Sequence, residues 1–231
     1  MDAGRSGEEH LRDWAGLHRT EPPKGFVAWW LRGAAAVARP LARAGVSPNA
    51  LTVASMLAAV AAVGIALAPE PAGPALACVA VVASGVLDLL DGAVAVQAGR
   101  ATRVGFLLDS ALDRLSDAAF AAALVIVAGE GEWVAVAAVA AAWWLEYIRA
   151  RAGLAEWGPD RGPPAVERQV ITPGERPTRI ILTAVGLGLP PLALAALWGQ
   201  VVIVGGSALF LLLHSLARLH RRDAAPPAPT G

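Results

Sequence analysis

Apolar residues in this chain come in long runs broken by short polar stretches, not in the alternating patterns of a soluble domain. A helix needs about 20 apolar residues to cross the roughly 30 Å hydrocarbon layer of a bilayer. Runs of that kind occur at about 49–68, 74–96, 104–128, 132–150, 178–198 and 200–219. They predict an all-α integral membrane protein with six transmembrane helices. Residues 26–44 differ. Phe26, Trp30, Gly33, Val37 and Leu41 fall on one side at helical spacing, and Arg32, Arg39 and Arg43 on another. This predicts an amphipathic helix in the interface ahead of the spans, with Pro40 as a bend. A short seventh span is the alternative, made expensive by its three arginines. Ser47-Pro48-Asn49 opens the first span, with Ser47 or Asn49 as its cap. The membrane domain is thus expected over 26–220. Ahead of it lies a polar N-terminal segment, 1–25, with no signal-peptide pattern; behind it lies a Pro-rich disordered tail, 221–231. The one long connection, 152–176, is polar and rich in Gly and Pro.

The basic residues set an orientation. Seven of the 19 Lys and Arg precede residue 48. Arg100 and Arg103 lie in the second connection, with Arg114 about three turns into the third helix. Arg149, Arg151, Arg161, Arg168, Arg176 and Arg179 surround the fourth, and Arg218, Arg221 and Arg222 end the chain. The odd-numbered connections carry no cation; their charges are Glu70, Glu130 and Glu132. By the positive-inside rule both termini and the even connections face the cytoplasm, which requires an even number of spans. Trp133 and Trp198 then mark the outer interface.

Composition adds exclusions. Hydrophobic residues make up 56% and charged residues 16%, and the net charge is zero, so no nucleic-acid partner is expected. Cys78, the single cysteine, reads as a small buried hydrophobe. His10, His18, His214 and His220 have no ligand spacing, and Trp143 and Trp144 read as packing residues.

The chemistry concentrates in five acids. Asp88, Asp91, Asp109, Asp113 and Asp117 all lie in or beside apolar helices. A carboxylate at membrane depth costs about 2.5–3.5 kcal/mol on insertion scales. Asp88 and Asp91 are three apart and share a helix face; Asp109, Asp113 and Asp117, four apart, share another. The short link at 97–103 makes the two helices an antiparallel pair with both acidic faces at the cytoplasmic level. Facing carboxylate pairs suit Mg²⁺ or Mn²⁺, and such a cage suits a diphosphate substrate. Glycines at 92 and 105 permit close approach of backbone or ligand. Asp–Arg pairing through Arg103 and Arg114 is a competing account, but two cations cannot neutralise five anions. Asp117 is placed to pair with Arg114 or to support Asp113, and Glu146 to pair with Arg149 at i+3. A cation or proton pathway is a further alternative.

The spacing Asp88-x2-Asp91-Gly92-x2-Ala95-Val96-x8-Gly105-x3-Asp109-x3-Asp113 resembles the signature of the CDP-alcohol phosphatidyltransferases, D-x2-D-G-x2-A-R-x8-G-x3-D-x3-D. Seven of the eight fixed positions match with every gap correct; Val96 stands where the family has Arg. Pro48-Asn49-Ala50-Leu51-Thr52 resembles the family's P-N-x-x-T entry to the first span. Tyr147-Ile148-Arg149-Ala150-Arg151, Glu175-Arg176-Pro177-Thr178-Arg179, Thr102-Arg103 and Asp113-Arg114 resemble the branch that includes phosphatidylinositol phosphate synthases. Arg149 stands for that branch's Lys, with a different donor geometry.

The resemblance implies six spans after an interfacial helix, in the plasma membrane, with both termini and the active site cytoplasmic. It also implies a homodimer, which small-residue-rich helices would permit. Asp88, Asp91, Asp109 and Asp113 would hold Mg²⁺ or Mn²⁺, and Asp113 would act as general base. Asn49, Thr52, Gly92, Ala95 and Gly105 would form the CDP pocket. Arg103, Arg149, Arg151, Arg176 and Arg179 would bind the acceptor, although each also reads as an ordinary cytoplasmic anchor or lipid headgroup contact. The implied reaction transfers a phosphatidyl group from CDP-diacylglycerol to an alcohol acceptor, releasing CMP. Inositol phosphate suits the arginine-rich rim best, with glycerol phosphate next. Val96 keeps a second class open, a non-catalytic homologue acting as a membrane scaffold or binding protein.

Overall fold

The computed structural model describes residues 25–155 and 170–224, together with residues 9 and 15. The N-terminal segment, most of the long fourth connection and the tail from 225 therefore lie outside the described residues. Seven α-helices and one short 3₁₀ turn make up the described fold: α1 (Gly25–Arg43), α2 (Pro48–Ala66), α3 (Ala72–Ala98), α4 (Arg103–Ala128), α5 (Glu132–Ala155), α6 (Arg176–Gly188), the 3₁₀ turn (Pro190–Leu192) and α7 (Ala193–Asp223). By length and composition, α2, α3 and the segment Pro190–Asp223 are apolar enough to cross a membrane. In α4 and α5, interior charges interrupt the apolar runs.

The connections sort into two ends. Glu70, Glu130, Pro190 and Pro191, from the first, third and fifth connections, line one common cavity with Val127, Ala128 and Leu194. The acidic residues of α3 and α4 and the first turn of α6 occupy the other end. Helices α2 to α7 therefore run alternately up and down. The 26 residues of α4 separate the ends by about 39 Å.

Small residues build the interior. Ala59, Ala62, Ala77, Val81, Ala123, Leu124, Ala196 and Leu197 pack in one buried cluster, and Ala142, Leu145, Val204 and Ala208 in a second between α5 and α7. The larger apolar side chains Leu57, Val79, Val136, Val202 and Phe210 face outward. That inversion fits helices packed closely in an apolar solvent. Polar links tie the helices. Ser55 Oγ donates to Ser84 O at 2.9 Å. Gln200 Nε2 donates to Thr183 Oγ1 at 3.0 Å, and that hydroxyl donates to Arg179 O at 2.8 Å.

Four expectations change or sharpen. First, α3 and α4 are the expected antiparallel pair and bring their acidic faces together, but with little direct contact, since α2 packs extensively on both. Their facing carboxylates repel, and α2 supplies the apolar contact each needs. Second, the boundary of the last two helices lies at 189–192 rather than near 199. Pro190 has no N–H and excludes helical geometry from the residue before it; Leu189 sits at φ −128°, ψ 79°. With 13 residues, α6 spans only about 20 Å, and α7 runs on through Arg221 to Asp223, past the expected start of the tail. Third, α1 buries Ala34, Ala35 and Ala38, with Ala34 and Ala38 packed against Ala93 and Val94 of α3, and leaves Val37 53% exposed. Alanines let the two backbones approach; of the bulkier stripe Val37 turns outward while Leu41 packs, partly buried, against the same cluster, and the side chains of Phe26 and Trp30 lie outside the described residues. Fourth, Ser47 takes the N-cap position of α2 without a side-chain hydrogen bond, and Pro48 at the first turn supplies the start.

Two glycines bring α6 into place. A Cβ on Gly85 of α3 would stand 2.9 Å from Ile180 Cδ1, and one on Gly186 of α6 would stand 2.5 Å from Leu124 Cδ2, 2.9 Å from Ala196 Cβ and 3.1 Å from Ala193 Cα. The first obstacle is the end of one flexible side chain; the second adds to a leucine tip a Cβ and a Cα that cannot move without their backbone. Gly186→Ala should therefore destabilise by about 1–3 kcal/mol, and Gly85→Ala by clearly less. Thermal unfolding of the two variants in detergent checks the order; equal losses would contradict this packing.

Candidate active site

The acid end holds two charged groups of different character. In the first, Asp88 and Asp91 project from α3 and Asp109 from α4, and one carboxylate oxygen of each lies within 4.8 Å of the others. The spacing of three places Asp88 and Asp91 on one face, and the gap left between α3 and α4 receives all three. Asp91 is buried, and its Oδ2 has no hydrogen-bond partner. A buried carboxylate oxygen left without a donor is costly. Three converging carboxylates with an orphaned oxygen are the hard-oxygen set that Mg²⁺ or Mn²⁺ accepts, so the residues present fit a divalent ion. Asp113, one turn beyond Asp109, is turned toward α6. Its Oδ1 is in direct contact with Arg176 Nη1, and Arg176 Nη2 stands 3.3 Å from Asp88 Oδ1.

The second group lies behind it. Arg179 is 2% and Asp117 4% exposed at their side chains, and Nη1 donates to Oδ2 at 3.1 Å. Arg114 Nε joins Asp117 Oδ2 at 3.2 Å, one turn along the same helix, and Nη1 stands 3.8 Å from Glu146. Arg149 bonds Glu146 at 2.9 Å, as its i+3 spacing anticipates, and Glu175 at 2.6 Å. Glu175 is a hub that the sequence reading assigned no role. Its Oε1 also accepts from Thr172 N–H at 2.9 Å and Thr172 Oγ1 at 3.0 Å. The Thr-x-x-Glu spacing of a capping box was the available signal. Gly174 N–H donates to Ser207 Oγ at 2.9 Å. The segment leading into α6 is thereby tied to both α5 and α7, and this fixes where Arg176 and Arg179 emerge.

The remaining candidates divide. Thr52 is buried next to Asp91, its hydroxyl donating to Pro48 O at 3.1 Å. Asn49 reaches α4: a Cβ on Gly105 would stand 3.0 Å from Asn49 Oδ1. Thr102 caps α4 by accepting from Gly105 N–H at 3.0 Å. A Cβ on Gly92 would meet open space, and Ala95 is half-buried one turn along. Val96 is buried at 4% exposure. Arg103 and Arg151 are exposed, away from the buried ion pairs that hold Arg149, Arg176 and Arg179. Among the described residues joined by these contacts, seven carboxylates, at 88, 91, 109, 113, 117, 146 and 175, meet four guanidiniums, at 114, 149, 176 and 179. The acids without a paired guanidinium are Asp91 and Asp109, where the cage converges.

Comparison with known proteins agrees with this geometry. The profile of the CDP-alcohol phosphatidyltransferase family matches residues 45–211. The chain is 33% identical over 200 residues to phosphatidylinositol phosphate synthase of Mycolicibacterium smegmatis, covering 83% of this chain and 84% of that one. It is 32% identical over 191 residues to archaetidylinositol phosphate synthase of Aeropyrum pernix, covering 82% of this chain and 93% of that one. Among solved structures it resembles Mycobacterium tuberculosis phosphatidylinositol phosphate synthase with CDP-DAG bound (TM-score 0.58, 27% identity, 84% of this chain and 98% of that one). The same enzyme in complex with manganese and citrate superposes with TM-score 0.58 at 27% identity, over 84% of this chain and 93% of that one. The chain belongs to the CDP-alcohol phosphatidyltransferase family.

Proposed function

We propose that this protein transfers the phosphatidyl group of CDP-diacylglycerol to a phosphorylated alcohol, inositol phosphate in the first instance, and releases CMP. The observation that carries this reading is the convergence of Asp88, Asp91 and Asp109 around the unpartnered Asp91 Oδ2, in the spacing of the family signature. Asp88, Asp91, Asp109 and Asp113 would hold Mg²⁺ or Mn²⁺, which when bound supplies Lewis-acid stabilisation of the diphosphate. Asn49, Thr52 and Gly105 form one wall of the CDP pocket, and Gly92 and Ala95 leave the open side through which the nucleotide approaches. The acceptor hydroxyl attacks the phosphorus that bears the diacylglycerol; the bond from that phosphorus to the CMP oxygen breaks, and Asp113 takes the hydroxyl proton. Arg103, Arg149, Arg151 and Arg176 make a rim for the acceptor's phosphate, with Arg179 behind them on Asp117.

The helices α2 to α7 are read as six spans, short α6 included, with α1 in the interface and the acid end cytoplasmic at the plasma membrane. The alternation of connections between two ends supports this, as does the exclusion of cations from the odd ones. Acyl chains then stay in lipid while the CDP head enters the polar end. Pairing of two copies through small-residue faces is part of the same reading.

The first test is CMP release by purified protein from CDP-diacylglycerol with Mn²⁺ or Mg²⁺, across phosphorylated and neutral alcohols. Release that depends on one phosphorylated acceptor is expected. Folded protein that releases no CMP with any of them would point instead to a non-catalytic binding protein. Asp109→Asn should lower CMP release by at least about 100-fold, beyond what loss of an outer partner costs, with its melting temperature retained.

The two kinds of arginine should separate. Arg179→Gln leaves Asp117 buried without its closest cation and should destabilise by about 3–5 kcal/mol. Arg103→Gln, at an exposed position, should raise the acceptor KM with little change in unfolding temperature. Paired thermal-unfolding and kinetic measurements check both; an Arg179 variant as stable as the parent would contradict the sealed cluster.

A further inference from the structure

Arg176 and Arg179, one turn apart on α6, hold different kinds of anion. Arg179 binds Asp117 at 3.1 Å, a carboxylate outside the cage signature and 4% exposed at its side chain. Arg176 binds Asp88 at 3.3 Å and touches Asp113, and both of these belong to the signature set. Asp88 is also one of the three carboxylates that converge within 4.8 Å. Arg176 thus holds one carboxylate of the converging three, Asp88, and one further member of the signature set, Asp113. Its side chain is 10% exposed, so without those carboxylates it would be a buried cation lacking its partners, and they in turn would be buried anions. Among the described residues no guanidinium is ion-paired with Asp91 or Asp109, so the exchange is confined to the Asp88 and Asp113 side of the cage.

We propose that Arg176 is the built-in counter-ion of the carboxylate cage. It is bonded to Asp88 and Asp113 while no divalent cation is there and released from them when one binds, and its planar fork is then free to take a tetrahedral oxyanion at the mouth of the site. This rests on the metal-site reading given above and adds to it an order of assembly: the oxyanion site is completed by loading of the cation site. Linkage makes the effect reciprocal, so oxyanion and divalent ion each tighten the other through this one side chain. Arg176 is a positioning residue for the cation and a ligand for the oxyanion.

The test uses full-length protein in detergent with no lipid substrate. Binding of Mn²⁺ is followed by electron paramagnetic resonance, with and without inorganic sulfate, at ionic strength matched by chloride. Sulfate should tighten Mn²⁺ binding to the parent protein by about fivefold or more. Arg176→Gln should bind Mn²⁺ about tenfold more tightly than the parent without sulfate and lose the sulfate effect. Arg100→Gln removes the same charge from an exposed side chain in the second connection, outside the proposed rim, so it should show a smaller tightening and keep the sulfate effect. Equal or weaker Mn²⁺ binding by Arg176→Gln, an Arg100→Gln gain as large, or no sulfate effect in the parent would each overturn the proposal. The parent arm needs no variant, so a misfolded Arg176→Gln leaves it decisive. Intact CMP release with no linkage would sink the exchange and spare the transferase reading. Linkage without CMP release would do the reverse.

Discussion

A carboxylate inside an apolar helical bundle has to find a cation, and the architecture at one end of this molecule follows from that constraint. Five aspartates lie on two helices, three of them converging within 4.8 Å across α3 and α4, and α2 supplies the apolar contact that both helices need. Cations then have to come from elsewhere in the chain. Helix α6 delivers two of them, and it reaches α3 and α4 because Gly85 and Gly186 remove the side chains that would keep it away. The Thr172–Glu175 turn fixes the point of entry through Arg149 and Ser207. Packing, capping and electrostatics there all serve one placement, that of Arg176 and Arg179 over the acids.

Compensation is uneven, and the unevenness separates structure from chemistry. Around Asp117 each anion has a close guanidinium and solvent is nearly excluded; a paired, buried network of that kind holds geometry. Around Asp91 no guanidinium is paired among the described residues, and two further carboxylates converge on it. Anions gathered so closely cost stability, and that cost is understandable where a bound cation and a diphosphate complete the set. Buried oxygens without a donor occur in both groups, Asp117 Oδ1 as well as Asp91 Oδ2; what separates scaffold from site is the ion pairing.

What could be read from the chain was local. The i+3 pairs Arg114–Asp117 and Glu146–Arg149 followed from spacing, as did the shared face of Asp88 and Asp91 and the helix start at Pro48. The missed features depend on long-range choices. No periodicity says that residue 176 meets residues 88 and 113, or that α1 buries alanines and turns Val37 out. The break at Leu189 was written in Pro190-Pro191, but an unbroken apolar run outweighed it, because hydropathy does not register a missing N–H. The short link between α3 and α4 told of their antiparallel run, but nothing local said that α2 would supply most of the contact to both.

Val96 is where the chain departs from its family, and charge balance says what that departure does. The position lies five residues beyond Asp91 on α3, about 7.5 Å along the axis, and it is 4% exposed. An arginine there would add a cation close to carboxylates, Asp91 and Asp109, that have no paired guanidinium among the described residues. Valine removes that cation and fills the space with an apolar side chain that needs no partner. The acid end is left one charge more negative than with arginine, and at this distance in a bundle of low polarity such a charge is poorly screened. The demand on the remaining cations rises accordingly, and it falls on the two species that can occupy the cage, Arg176 and a divalent ion. The substitution therefore does not dismantle the site. It transfers more of the compensation to an arginine that the same carboxylates must be able to release.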